Sequence, residues 1–265
     1  MKRNVQWYGW QKDKLDHRDR HYALRLADIP KLPPRVSLRS AMPPVWTQGD
    51  LGSCTAHGLI GLAMYAARKE GATPPMLSRL MLYWLERREE DTIPVDCGAQ
   101  IRDGIKVLNR YGCGSETCWP YNVKKFADMP YGPCFEEGMN RQILEYFRLQ
   151  DGDLAAMRQC LADGWPFTFG FTVMEQFESK ECEQTGIIEM PGHNEMLIGG
   201  IGGHCVDAIG YDDDRQVMEL RNSWGADWGD HGHAWMPYAY IASDLLCSDF
   251  WTIRKTETGK TGDLS

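Results

Sequence analysis

The segment Gln48-Gly49-Asp50-Leu51-Gly52-Ser53-Cys54-Thr55-Ala56 places a cysteine between a glycine-rich turn and an apolar helical run. A thiolate, rather than a thiol, is the nucleophile. The positive end of a helix dipole favours an anion at the first turn and lowers a thiol's pKa there. Glycines allow a tight turn, so backbone N–H groups can face a bound carbonyl. Such donors stabilise the oxyanion of acyl transfer. Gln48, six residues before Cys54, offers a side-chain amide for the same task. Taken alone, Cys54 would more simply be a small buried apolar side chain.

Two downstream clusters supply what a cysteine nucleophile needs. In Gly202-Gly203-His204-Cys205-Val206, a histidine enters an apolar strand that can hold an imidazole against a thiol on another part of the fold. In Arg221-Asn222-Ser223-Trp224-Gly225, an amide oxygen is available to accept the proton on the far ring nitrogen of that histidine. This fixes tautomer and orientation, the role of the third member of a triad. Trp224 would screen that bond from water. Individually, His204 is equally well a core histidine on a backbone carbonyl, and Asn222-Ser223-Trp224-Gly225 a turn.

Together, the order Gln48, Cys54, His204, Asn222, the six-residue Gln-to-Cys spacing, and Asn222-Ser223-Trp224-Gly225 followed by Trp228-Gly229 resemble the papain family of cysteine peptidases. The resemblance spans residues 32–254. It implies an α+β fold of two lobes, helical on the left and β-barrel-like on the right, with the active-site cleft between them. It implies Cys54 as nucleophile, His204 as base, Asn222 as orienter and Gln48 as oxyanion donor. It also implies Gly98, Gly203 and Trp224 as substrate-binding positions, a peptide or protein substrate, and no cofactor or metal. The sequence departs from the family at Leu51, which removes one partner of a common left-lobe disulfide, and at Thr55, which replaces an aromatic beside the nucleophile. The lost disulfide resembles intracellular prokaryotic or viral branches. Two rival readings stay open: an acyl-transfer enzyme such as a peptide ligase or amidase, and a non-catalytic peptide-binding module.

The elements that must position these residues are legible as patterns. Residues 53–70 read as a helix, with Leu59, Leu62, Ala63 and Ala66 at three- and four-residue spacing, Ser53 as cap and Gly71 as stop. Further helices are predicted over 78–89, 101–110 and 153–162. Residues 113–140 read as loop. Strands are predicted over 167–173, 204–211, 217–221, 234–236 and 250–253. Helices first and strands later suggest α+β, with the left lobe mainly 41–150 and the right lobe mainly 151–254. Residues 255–265 read as a disordered tail. Residues 1–31 are polar and end near a proline cluster; they read as an extension, possibly propeptide-like. Its Trp7, Tyr8, Trp10 and Tyr22 are candidate anchors for lying across the cleft and inhibiting it, the alternative being a surface belt without control of activity.

Composition bounds the rest. With 43% hydrophobic and 25% charged residues, the 265-residue chain is an ordinary globular one. A net charge of −8 argues against nucleic-acid or anionic-membrane binding, which need clustered Lys and Arg. No apolar run resembles a signal peptide or a membrane span, so the expected location is cytoplasmic and the nine cysteines are expected to be reduced. No Cys-x-x-Cys pair marks a zinc site among Cys97, Cys113, Cys118 and Cys134. The run 199–203 has the glycines of a phosphate loop but no Lys-Ser/Thr ending.

Overall fold

The computed structural model describes residues 8–22 and 32–257. Residues 1–7, which include the predicted anchor Trp7, and residues 23–31 lie outside the described residues, as do 258–265.

The helices are α1 (Cys54–Lys69), α2 (Arg79–Glu89), α3 (Ile101–Tyr111), α4 (Gly132–Gly138), α5 (Leu154–Ala162), α6 (Lys180–Thr185), α7 (His193–Ile198) and α8 (Tyr238–Ile241). The strands are β1 (Trp10–Gln11), β2 (Arg35–Ser37), β3 (Ala99–Gln100), β4 (Ile143–Arg148), β5 (Phe167–Val173), β6 (Gly202–Asp212), β7 (Val217–Arg221), β8 (His233–Pro237) and β9 (Cys247–Thr256). Among the described residues, no helix is long and apolar enough to cross a membrane.

The left lobe packs α1, α2 and α3 around one apolar cluster that includes Leu59, Leu80, Ile105 and Leu108. The right lobe is a seven-stranded antiparallel sheet in the order β4-β9-β5-β6-β7-β8, with β2 paired to β6. The sheet curls but does not close, since β4 and β8 do not pair. Its core holds Phe167, Phe169, Phe171 and Phe250, the alternation of β5 and β9 delivering one face to the interior.

α1 is buried from Cys54 to Ala67. The sequence pattern suggested a one-sided helix, but α1 is the partition between the lobes: α2 and α3 cover one face, β6 and β9 the other. Gly58 and Gly61 make that approach possible. A Cβ on Gly58 would lie 2.6 Å from Thr168 Oγ1, and one on Gly61 would lie 2.9 Å from Asp207 Oδ2. Behind them, the buried Arg221–Asp207 pair (3.1 Å) locks the seam, and Arg221 donates further to the carbonyls of Pro43 and Pro44. Burial pushes the Asp207 carboxyl up to about 7, partly offset by Arg221.

Four expectations need correction. Ser53 occupies the cap position of α1 but makes no side-chain cap; its hydroxyl bonds to Tyr121 Oη (2.6 Å) instead. The stretch 113–140 carries α4, and β4, which follows it, pairs with β9 in the right-lobe sheet. β9 runs through Thr256, two residues into the predicted tail, because the Thr256 N–H and Oγ1 both donate to Glu70 Oε2. The cysteines are not all reduced: Cys118 and Cys134 form a disulfide with Cα atoms 5.7 Å apart.

Candidate active site

Cys54 is the first residue of α1, where N–H groups have no intrahelical acceptor. Ser53 N donates to Leu51 O (2.8 Å), and Gly52 N donates to Asp96 Oδ1 (3.0 Å), so the turn before the cysteine is held by backbone and carboxylate. Asp96 also accepts from the Tyr83 hydroxyl (2.5 Å), whose oxygen accepts from Gly98 N (3.1 Å). One carboxylate thus ties the Gly52 turn to the Gly98 turn.

His204 stands on β6 with its Nε2 2.8 Å from Asn222 Oδ1. Ser223 N donates to that same oxygen (2.8 Å), which fixes the amide with oxygen toward the imidazole. Nε2 therefore carries the proton, and Nδ1 is the nitrogen left for chemistry. Trp224 lies against the imidazole, ring centroids 5.0 Å apart, with Phe177 and Trp228 packed behind it. This aromatic wall excludes water from the His204–Asn222 bond, as the sequence position of Trp224 suggested.

Gln48 is buried; its Oε1 accepts from Ser223 Oγ (2.6 Å), and its Nε2 donates to Leu51 O (2.9 Å). Its backbone N–H reaches Ser223 O (2.9 Å). Ser223, not singled out from sequence, therefore links the Gln48 loop to the Asn222 loop across the lobes. Its signal was present in the motif, beside Asn222. His57, one turn along α1, packs locally: Nδ1 sits 2.9 Å from Ser53 O, and burial followed by the charge of Arg79 pulls its pKa down to about 3. Among the described residues, no group of three or more His, Cys, Asp or Glu side chains converges to hold a metal.

The described part of the extension crosses this site. β1 pairs in parallel with β3, and Ala99 N donates to Gly9 O (2.8 Å). Gly9 presses on the turn before Cys54: a Cβ there would stand 1.8 Å from Gly52 O. Trp10, the next residue, covers the residue before His204: a Cβ on Gly203 would meet Trp10 O at 2.5 Å. Gly9 and Trp10 thus lie over the residues that flank Cys54 and His204, and both of those side chains are fully buried. A Cβ on Gly98 would meet Gly9 O at 2.2 Å, so this glycine contributes the space of its missing side chain, while the pairing N–H is that of Ala99. Tyr8 lies edge-on to His204 (6.4 Å), with its hydroxyl on Glu178.

The extension is clamped further along. Asp13 accepts from Arg102 N (3.0 Å) and Trp251 Nε1 (2.9 Å). Asp19 pairs with Arg102 and with Arg148 (3.4 Å). Asp249 accepts from Trp10 Nε1 (3.2 Å) and Asp13 N (2.8 Å). Burial, then the neighbouring Asp249, pushes Asp13 up to about 7.

The family model described as papain family cysteine protease matches residues 32–244. An uncharacterised peptidase C1-like protein of Acanthamoeba polyphaga mimivirus is 38% identical over 216 residues, covering 78% of this chain and 68% of that protein. The crystal structure of xylellain, a cysteine protease from Xylella fastidiosa, superposes with a TM-score of 0.86 at 35% identity, covering 96% of this chain and 98% of that one. A procathepsin B from Trypanosoma congolense shares the fold at 15% identity, with a TM-score of 0.74 over 96% of this chain and 87% of its own.

Proposed function

Because this chain belongs to the papain family of cysteine proteases, we propose that Cys54 is its nucleophile, His204 its base, Asn222 the orienter of His204 and Gln48 an oxyanion donor. The thiol proton passes to Nδ1 of His204, and the thiolate attacks a peptide carbonyl. The oxyanion is stabilised by the Cys54 N–H and the Gln48 amide. His204 returns the proton to the leaving amine, then activates the water that releases the acyl enzyme. The observation that carries this reading is the 2.8 Å bond from His204 Nε2 to Asn222 Oδ1, which leaves Nδ1 for proton transfer. Gly98 and Gly203 line the substrate path, and Trp224 borders it from behind His204.

The extension acts as an internal inhibitor of the same cleft. Gly9 and Trp10 fill the space between Gly52, Gly98 and Gly203 that a substrate backbone needs. The Cys118–Cys134 bridge suits an oxidising compartment and counts against the cytoplasmic location expected from the sequence.

The test is hydrolysis of a denatured protein, followed by mass spectrometry, for the intact chain and for Cys54→Ala. Fragments from the first and none from the second support the reading. Fragments from both would move the nucleophile elsewhere. Transfer of the acyl group to an added amine in preference to water would favour the ligase alternative.

A further inference from the structure

The two donors assigned to the oxyanion, the Gln48 amide and the Cys54 N–H, stand at opposite ends of one turn, six residues apart. Whether both can bond the same oxygen depends on how far apart the turn holds them. One side chain from another loop joins the two ends. Tyr121 Oη lies 2.9 Å from the Gln48 carbonyl oxygen and 2.6 Å from Oγ of Ser53, the residue before Cys54. The Gln48 carbonyl only accepts, so the single phenolic proton goes to it. The Ser53 hydroxyl must then donate to Tyr121 Oη.

The chain of bonds continues behind Ser53. His57 Nδ1 lies 2.9 Å from Ser53 O and 3.4 Å from Ser53 Oγ, and the carbonyl again fixes the proton on Nδ1. Each link from His57 through Ser53 and Tyr121 to Gln48 thus has one proton direction, and such chains polarise and strengthen their members. On the catalytic side, Gln48 Oε1 accepts from Ser223 Oγ (2.6 Å), and one proton of Nε2 goes to Leu51 O (2.9 Å), which leaves the second for an oxyanion. Tyr121 is itself fixed. Its N–H donates to Glu116 Oε1 (2.6 Å), Glu116 pairs with Arg79 (3.1 Å), and the Arg79 guanidinium covers the Tyr121 ring (4.8 Å). His57 meets that ring edge-on (5.1 Å). Just upstream, Trp119 O accepts from Ser78 Oγ (2.6 Å), and Cys118 is bridged to Cys134.

We propose that Tyr121 is a positioning residue for the oxyanion hole: its hydroxyl bridges the Gln48 carbonyl and the Ser53 hydroxyl, and so sets the separation of the Gln48 amide from the Cys54 N–H. The proposal rests on the catalytic reading above and adds a residue to it. Tyr121 touches neither substrate nor thiol; it acts through Gln48 and the turn. Donors held in place before the reaction stabilise a developing oxyanion without reorganising, and a misplacement of about 1 Å costs about 100-fold in rate. The thiolate of Cys54 makes no use of that separation, so its reactivity toward a carbon electrophile does not depend on Tyr121.

The test uses the full chain, with kcat and KM on a fluorogenic peptide amide set against the rate of Cys54 alkylation by iodoacetamide, read by peptide mass. Alkylation forms a C–S bond and expels iodide, so no oxyanion develops, whereas acylation by an amide needs one. The fraction of molecules with the extension displaced multiplies kcat/KM and the alkylation rate alike and cancels in their ratio. Tyr121→Phe removes the hydroxyl and keeps the ring. Its kcat is expected to fall about 10- to 100-fold, with KM and the alkylation rate within about twofold of wild type. In a Gln48→Ala background the same substitution is expected to cost less than about threefold, because the donor it positions is already gone. Ser53→Ala, which removes the donor to Tyr121 Oη and leaves every ring in place, is the second variant should the first fail to fold, with the same split and a kcat about 3- to 10-fold down. An unchanged kcat, a loss matched by an equal loss of alkylation, or losses that multiply in the double variant overturn the proposal. No hydrolysis by the wild type although Cys54 alkylates would instead refute the catalytic reading, and the assignment of Tyr121 would fall with it.

Discussion

Replacing Gly9 with alanine isolates the extension's grip on the cleft. The added Cβ would stand 1.8 Å from Gly52 O, 2.3 Å from its carbonyl carbon and 2.8 Å from its Cα, all backbone atoms of the turn that precedes Cys54. Real Cβ contacts do not fall below 3.0 Å, so one strand must move by more than an ångström. The turn is fixed by Asp96 and by α1, which leaves the extension to yield. Its displacement breaks the Ala99–Gly9 bond (2.8 Å) and the Trp10–Asp249 bond (3.2 Å). A neutral bond is worth about 1 kcal/mol net and one to a carboxylate about 1.5–3 kcal/mol, so docking weakens by roughly 2–4 kcal/mol. That raises the open-to-closed ratio by about 30- to 700-fold. The assay is the rate of Cys54 alkylation by a small epoxide, read by intact mass. Gly9→Ala should label faster by a factor in that range, up to the limit at which every molecule is open. Gly132→Ala, whose Cβ meets nothing within 4 Å, should label at the wild-type rate. If Gly9→Ala labels no faster than wild type, the extension does not control access.

The grip should also depend on pH. Asp13 is raised to about 7 when docked and returns to about 4 when released, so docking takes up a proton between those values. Docking is therefore tightest below pH ~4 and weakens as pH rises through about 7. The alkylation rate of the wild type relative to Asp13→Asn should climb by up to about tenfold per pH unit between pH ~5 and ~6.5 and level off above pH ~7; a flat ratio would contradict it. Asn222→Ala removes the acceptor of His204 Nε2 and should lower kcat by about 100-fold with KM little changed, measured on a fluorogenic peptide. Reducing the Cys118–Cys134 bridge, which closes a loop of sequence separation 16, should cost about 3 kcal/mol of stability, seen as a lower urea midpoint under dithiothreitol.

What the sequence made legible was local or carried by motif. β5 and β7 fall where predicted, because β5 is an apolar, aromatic run and β7 a short alternating one directly after the turn 212–215. Gln48, His204 and Asn222 were found through fixed spacings, and the structure joins them through Ser223. What escaped depends on partners distant along the chain. β4 pairs with β9 through two register shifts, so it shows no clean alternation. The extension looks unstructured because its order comes from Arg102, Arg148 and Asp249. Cysteine connectivity is not written in spacing, and the bridge between Cys118 and Cys134 spans α4 and a loop that were read as one irregular stretch. Asp249 reads as an ordinary strand residue; no local pattern announces its left-handed φ or the register break beside it.

The central claim is that Cys54 is an activated nucleophile in a cleft closed by the chain's own N-terminal segment. Intact-mass labelling with an epoxide selective for papain-like peptidases tests it most directly, on reduced wild type, Gly9→Ala, and Gly9→Ala combined with Cys54→Ala. The account predicts a slow single adduct on wild type, a fast one on Gly9→Ala, and none on the double variant. No adduct on Gly9→Ala, or an undiminished adduct on the double variant, would contradict it.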